Sequence, residues 1–353
     1  MSNQTELLME VPDYFNEIVQ RISSSKWLIH NFNISNNDDL YNPASYQLSI
    51  DINNAKYTAH VDLNFFQYLI NAAKKEQPNE LFRDAVAYLV FFQIAGIEVD
   101  PTYAIYEKIN HKPERTSDAI ADLEIFRGIN NHDSETLAKY ALGISNNIKA
   151  IQTVPLDREH LHQELNKYER LTDWDSLYLT ILAITQVAFD TKVSKQDRLE
   201  TYIKWCIKYF KFSLPASVYA IVLFSNSPLH AMMKFKLNLN SEERKKSLQN
   251  MTWDLYYMHR FFRLWVEKTA GQEYFLVSSD RPFFSILGLA VEVQNNSNWN
   301  ALDTFLGDSK NAISDLLNNP NDQNIERIFH SEKWTPDHRK KLIRDFEARL
   351  LAL

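Results

Sequence analysis

Residues 57–66, YTAHVDLNFF, govern how the chain is read. Tyr57, Ala59 and Val61 alternate as the inward positions of a strand that stops at Asp62 and gives way to the helical run FFQYLINAAKK. That order puts a carboxylate at the carboxyl end of a buried strand, the edge where open α/β sheets collect their ligands. It also puts an Asp at a helix start, where its oxygen can cap the free amide hydrogens of the first turn. Both roles stay open on this stretch alone, and the acids elsewhere in the chain must decide between them.

Working upstream, SYQLSIDINNAKYTAHVD contains two alternating runs around Asn53-Asn54, which predicts a hairpin because Asn accepts positive φ more readily than most residues. Before it come a short amphipathic helix over 12–24 and a strand in KWLIHNFNI. Downstream, helices are predicted over 65–75 and 81–95, with Gly96 ending the second. A short strand in IEVDP follows, and Pro101 opens the helix that carries Glu107. From about 115 to 250 the apolar residues keep a helical period without a fixed repeat, as in LYLTILAITQVAF.

The pattern then changes. TWDLYYMHRFFRLWVEKTAG reads as a helix capped near its start by Asp254 and closed by Gly271, YFLV as a strand ending in Ser278-Ser279-Asp280, and LAVEV as the next strand. The tail is helical and ends in TPDHRKKLIRDFEARLLAL. The expected fold is α/β but predominantly helical, with residues 57–61, 97–99, 274–277 and 289–293 in one mainly parallel sheet. Its expected organisation is an N-terminal extension (1–56), the first part of the core (57–111), a helical insertion (112–250), the second part of the core (251–294) and a helical C-terminal extension (295–353).

Composition narrows the function classes. The chain has 353 residues, 45% of them hydrophobic, enough for a large buried core in one elaborated domain or two. Its six glycines are scattered, which excludes the clustered glycines of dinucleotide and phosphate loops and the nucleophile elbow. A single cysteine, Cys206, excludes an intramolecular disulfide framework and a cysteine-rich zinc module, and fits a reducing cytosol. The first residues carry no basic and apolar leader pattern, and no apolar run is long enough to span a bilayer, so the expected location is cytoplasmic, away from membranes. The net charge of −7 argues against a uniformly basic nucleic-acid coat.

Four acids stand at element ends in a fixed order: Asp62-Leu63-Asn64 after a strand, Glu107 in a later helix, Asp254 at a helix opening, and Ser278-Ser279-Asp280 after the next strand. In that order and context the chain resembles the PIN family of nucleases over residues 57–111 and 252–293. The resemblance implies a three-layer core and a metal site built from Asp62, Glu107, Asp254 and Asp280, with Asn64 and Ser278 orienting the carboxylates. The interval between Glu107 and Asp254 is long for that family, and Asp118 or Asp122 are alternatives to Asp254. Hard Mg²⁺ or Mn²⁺ takes oxygen ligands, and carboxylates held together repel unless a cation neutralises them. The implied activity is hydrolysis of RNA phosphodiester bonds, with no covalent nucleophile. Toxin, RNA-processing and defence roles stay open. Arg281 follows the last acid and could meet a substrate phosphate, and the insertion offers a place for RNA entry or a regulatory protein partner.

Other signals are weaker. Glu107 taken alone reads as a solvated carboxylate beside Lys108 or Lys112. His160 and His162 are too close in sequence to share a helix face. Cys206 reads as a packed thiol. Lys204, Lys208 and Lys211 interleave with Tyr202, Trp205 and Tyr209, which suits either a nucleic-acid surface or an amphipathic helix with a wet lysine face. SEERKKS and the tail residues Arg339, Lys340, Lys341 and Arg344 read as solvated helix faces. The rival to the enzyme is a non-catalytic helical or PIN-like scaffold that binds protein or RNA.

Overall fold

The computed structural model describes residues 9–30, 40–74, 77–149, 151–166, 173–194, 197–210, 213–225, 232–307, 310–311, 313, 315 and 332–353. Its contacts divide the chain into two compact units, residues 1–169 with 261–281 and residues 170–260 with 282–353. The segment set apart by sequence as an insertion is thus shared between them. Among the described residues helices predominate, with one mixed four-stranded sheet in the first unit.

The first unit opens with α1 (Phe15–Ser25), β1 (Leu28–His30), α2 (Pro43–Asn53) and β2 (Lys56–Val61). Then come α3 (Leu63–Ala73), α4 (Glu80–Ala95), β3 (Glu98–Asp100) and α5 (Thr102–Ile109). Helices α6 (Thr116–Asn130), α7 (Ser134–Ala141) and α8 (Arg158–Asn166) complete its first segment. The strand order is β1-β4-β2-β3, where β4 is Gln272–Val277. β2 pairs in parallel with both β3 and β4, and β1 runs antiparallel to β4. One face of the sheet contributes Tyr57, Ala59, Val61, Val99, Phe275 and Val277 to the unit's core, where α4 is buried almost all round.

The second unit contains α9 (Trp174–Phe189), α10 (Arg198–Tyr209) and α11 (Leu214–Phe224). The chain continues through α12 (Ser241–Glu267), α13 (Arg281–Asn296), the short α14 (Asp303–Leu306) and α15 (Pro336–Leu351). Trp174 and Trp253 lie inside this unit, and Tyr178 donates to Glu347 Oε1 of α15 at 2.5 Å. Among the described residues no helix is long and apolar enough to cross a membrane.

Three elements differ from their sequence reading, each for an identifiable reason. The predicted hairpin strand is the helix α2. Asn42 caps it by accepting from Ala44 N at 3.1 Å, and Pro43 stands at the first helical position, where its fixed φ is favourable and its missing N–H costs nothing. Asn54 does take positive φ, at 51°, but as the C-cap of α2 and not in a hairpin turn.

The predicted strand at 289–293 is part of α13, whose buried residues Phe283, Ile286, Leu287, Ala290 and Val293 follow a helical spacing. Asp254 lies well inside α12 and does not open it. The true start is a reciprocal cap in which Glu243 N donates to Asn240 Oδ1 and Asn240 N donates to Glu243 Oε2, each at 3.0 Å. The stretch SEERKKS therefore forms the first turns of a long helix.

Candidate acidic site at the carboxyl ends of the parallel strands

Because β3, β2 and β4 are parallel, their carboxyl ends share one edge of the sheet. β2 and β4 stay in register to Val61 opposite Val277, and Asp62 N then donates to Val277 O at 3.1 Å. On the next strand over, Ser278 N donates to Trp27 O at 3.0 Å. The backbone thus leaves Asp62 and Ser278 side by side as the sheet ends.

Asp62 is buried, with 7% of its surface exposed, and both its oxygens have partners. Oδ1 accepts from Phe65 N at 2.7 Å and caps α3; Oδ2 accepts from the Ser278 hydroxyl at 2.6 Å. The same hydroxyl accepts from Asp280 N at 3.1 Å. One serine hydroxyl therefore links the Asp62 carboxylate to the main-chain amide of Asp280. Ser279 Oγ contacts the Tyr68 hydroxyl at 3.4 Å, and Asn64 and Arg281 are exposed on the first turns of α3 and α13. Of the two roles left open for Asp62, the helix cap is formed, and the same carboxylate stands at the strand end beside Ser278.

The other expected ligands are placed differently. Glu107 is half-buried on α5. At 1.5 Å rise per residue it stands about 8 Å along the helix from Thr102. Asp254 belongs to the second unit, where Lys234 Nζ donates to its Oδ2 at 2.6 Å. Of the alternatives, Asp118 is exposed on the first turn of α6, whereas Asp122 is buried and bound by both Lys74, at 2.9 Å, and Lys108. Among the described residues no group of three or more His, Cys, Asp or Glu side chains is arranged to hold a metal ion. The strand-end pair is a smaller set, and Mg²⁺ is commonly bound through one or two carboxylates together with waters and substrate phosphates.

Sequence reading missed a second pair on the same sheet. His60 and Asp100 are register partners on β2 and β3, with Nδ1 3.2 Å from Oδ2, and the His60 ring is flanked by Tyr103 and Tyr274 at centroid distances of 5.1 and 5.7 Å. Burial pushes the Asp100 carboxyl up, but His60 and the Thr102 amide and hydroxyl outweigh it and hold it at about 2. The sequence signal was only that YTAHV and IEVD are both strands; the register that sets the two residues opposite each other is written in neither.

The remaining candidates take structural roles. Cys206 is buried, and burial pushes its thiol up to about 12 despite a hydrogen bond with Tyr202. Lys204 pairs with Glu200 at 2.5 Å and Lys208 lies over the Tyr209 ring, while Tyr202 is internal. Lys211 and Phe212 fall outside the described residues. His160 and His162 both lie on α8, the first exposed and the second half-buried. Comparison with known protein families, characterised proteins and solved structures finds no match to this chain.

Proposed function

We propose that the chain is a PIN-like, metal-dependent ribonuclease whose site is the strand-end group of Asp62, Ser278 and Asp280. The observation that carries this reading is the Asp62 carboxylate at the carboxyl end of β2, fixed by the hydroxyl of Ser278, which also accepts from the main-chain amide of Asp280 just beyond the neighbouring parallel strand β4. Asp62 and Asp280 would hold Mg²⁺ or Mn²⁺, with Glu107 of the same unit as a further carboxylate. The chemistry such an ion supplies is activation of water and stabilisation of charge on the leaving oxygen. The chain's own part is orientation: Phe65 N and Ser278 Oγ fix the Asp62 carboxylate, and Arg281, next in sequence after Asp280, would meet a phosphate. Asp254 lies outside the proposed set because Lys234 already neutralises it.

The test is incubation of the purified protein with RNA and with DNA, in Mn²⁺, Mg²⁺ or chelator, beside Asp62→Asn. Asn keeps a cap oxygen for Phe65 N and turns its amide N–H toward the Ser278 hydroxyl, which can accept it, so the variant removes charge while preserving the fold. Cleavage of RNA that needs the metal and vanishes in Asp62→Asn is the expected result. Equal cleavage by the variant excludes this site.

A second reading, a non-catalytic binding module, is favoured by two specific facts. Both oxygens of Asp62 already have protein partners, and no trio of ligating side chains is found among the described residues. Absence of metal-dependent cleavage from a folded protein selects it.

A further inference from the structure

Between α7 and α8 the chain crosses α6, and two positions of α6 about one helical turn apart hold it there. Glu124 is buried and takes this strap with both its side chain and its main chain. Its carboxylate accepts from Arg158 Nε at 2.8 Å, from Arg158 Nη2 and from Leu156 N at 3.4 Å, and its main-chain oxygen accepts from Val154 N at 3.2 Å. Gly128 lies four residues on, on the same face of the helix. A Cβ there would collide with the Gln152 carbonyl, so the strap can lie this close only over a glycine. Glycine is unfavourable in a helix interior, and the strap supplies the physical reason for one in α6.

Beyond this clasp the hold weakens. α8 has nine residues, REHLHQELN, and none of residues 158–165 is buried. A helix this short is marginal in water by itself and depends on tertiary packing. His162 and Glu164 are engaged, but the helix has only two apolar side chains, Leu161 and Leu165, and both line a cavity of about 580 Å³. The other walls come from β3, α5 and α6 through residues such as Val99, Ile105 and Phe126. Side chains that border open space forgo the contacts of a packed neighbour. α8 is therefore tied at its start, through Arg158, and weakly packed along its length. Segments with few buried apolar contacts open at a free energy well below that of global unfolding, and lids are drawn from them.

We propose that α8 is a lid on this cavity, hinged where the strap is clasped to Glu124 and Gly128, and that it swings away as a unit and widens access from solvent. The lid does not depend on the ribonuclease reading, because neither Asp62 nor Asp280 lines the cavity.

The test is hydrogen exchange of the full chain, followed residue by residue. Amides from Leu161 to Leu165 should exchange through one shared opening, at least about tenfold faster than those from Leu123 to Ile129 in α6. Glu124→Gln keeps an acceptor for Leu156 N but removes the charge that holds Arg158. It should speed exchange across α8 by about threefold, the effect of losing one exposed ion pair, and leave α4 unchanged. The same change should speed thiol labelling of Ile105→Cys, which places a reactive group in the cavity, while Cys206, buried in the other unit, stays unlabelled. α8 amides protected as well as those of α6 overturn the proposal. So does a graded rise in rate toward Asn166, which is fraying of the helix end. Unchanged α8 exchange in Glu124→Gln overturns the clasp as its hinge, and exchange that speeds up in α4 as well shows loosening of the whole unit instead of a lid. Faster α8 exchange with no change in labelling also overturns it, since the movement then does not open the cavity. Should Ile105→Cys fail to fold, the exchange rates of the wild type and of Glu124→Gln still decide.

Discussion

At the ends of β2 and β4 a carboxylate is held by neutral donors, whereas in the helical unit Asp254 is held by a cation. A backbone amide and a serine hydroxyl orient Asp62 without themselves opposing its charge, as a lysine ammonium does for Asp254. Lys234 cancels the charge of Asp254 within its own unit. Asp122 repeats the second arrangement with two lysines. What separates a candidate ligand from a structural carboxylate here is the charge of its partners, and burial alone does not distinguish them: Asp62 and Asp122 are buried alike.

That contrast can be broken most directly by truncation. Asp62→Ala removes a cap and strands a buried serine donor, and should lower stability by roughly 3 kcal/mol in urea denaturation. Asp254→Ala, which breaks one partly exposed ion pair, should cost about 1 kcal/mol. Equal losses would mean that the two acids are held equivalently.

The His60–Asp100 pair provides a third case, a carboxylate held by a histidine. Its depressed folded value makes its contribution complete above the unfolded value near 4 and lost as pH falls toward about 2. The shift corresponds to about 2 kcal/mol. Acid unfolding of Asp100→Asn should therefore show a flatter loss of stability between about pH 4 and pH 2 than the wild type. An unchanged profile would remove His60 as a determinant of acid stability.

Metal linkage sharpens the comparison further. At Mn²⁺ ten times above Kd, stability should rise by about 1.4 kcal/mol in the wild type and in Asp254→Asn, with no rise in Asp62→Asn. An Asp62→Asn protein that gains as much as the wild type would show that the ion binds elsewhere. The smallest effect is expected in α10, where replacing Lys204 and Lys208 by Ala should change RNA affinity less than about threefold across a salt series. Lys204 is engaged with Glu200 and Tyr202 is internal, which leaves Tyr209, with Lys208 over its ring, as the exposed aromatic of the mixture. A steep loss of affinity would instead make α10 an RNA surface.

Much of the first unit was legible in the sequence, because its signals are local. The strand ending at Asp62 and the helix that Asp62 caps lie within a few residues of each other, and the helix stop at Gly96 and the helix after Pro101 are equally short-range. The misread elements are those where short patterns are ambiguous. The alternation in SYQLSIDI fits a strand, but Asn42-Pro43 just before it supplies a strong helix start. LAVEV alternates within five residues, while its longer context carries a helical period. Asp254 looked like a helix opening only because the capping pair at Asn240 and Glu243 lies farther upstream.

By itself the sequence determined the mixed, mostly helical character of the chain, the parallel placement of β2, β3 and β4, and the presence of acids at strand ends. Hydrophobic periodicity and cap chemistry act over a turn or a strand, and they are written in consecutive residues. The tertiary structure alone decided that the Ser278 hydroxyl reaches the Asp62 carboxylate, that Lys234 takes Asp254, and that His60 faces Asp100. Those partners come from separate elements, and which donor reaches which carboxylate depends on strand register and helix packing. A shift of one residue in a strand turns every side chain to the other face, so a list of acids in order cannot specify which of them meet.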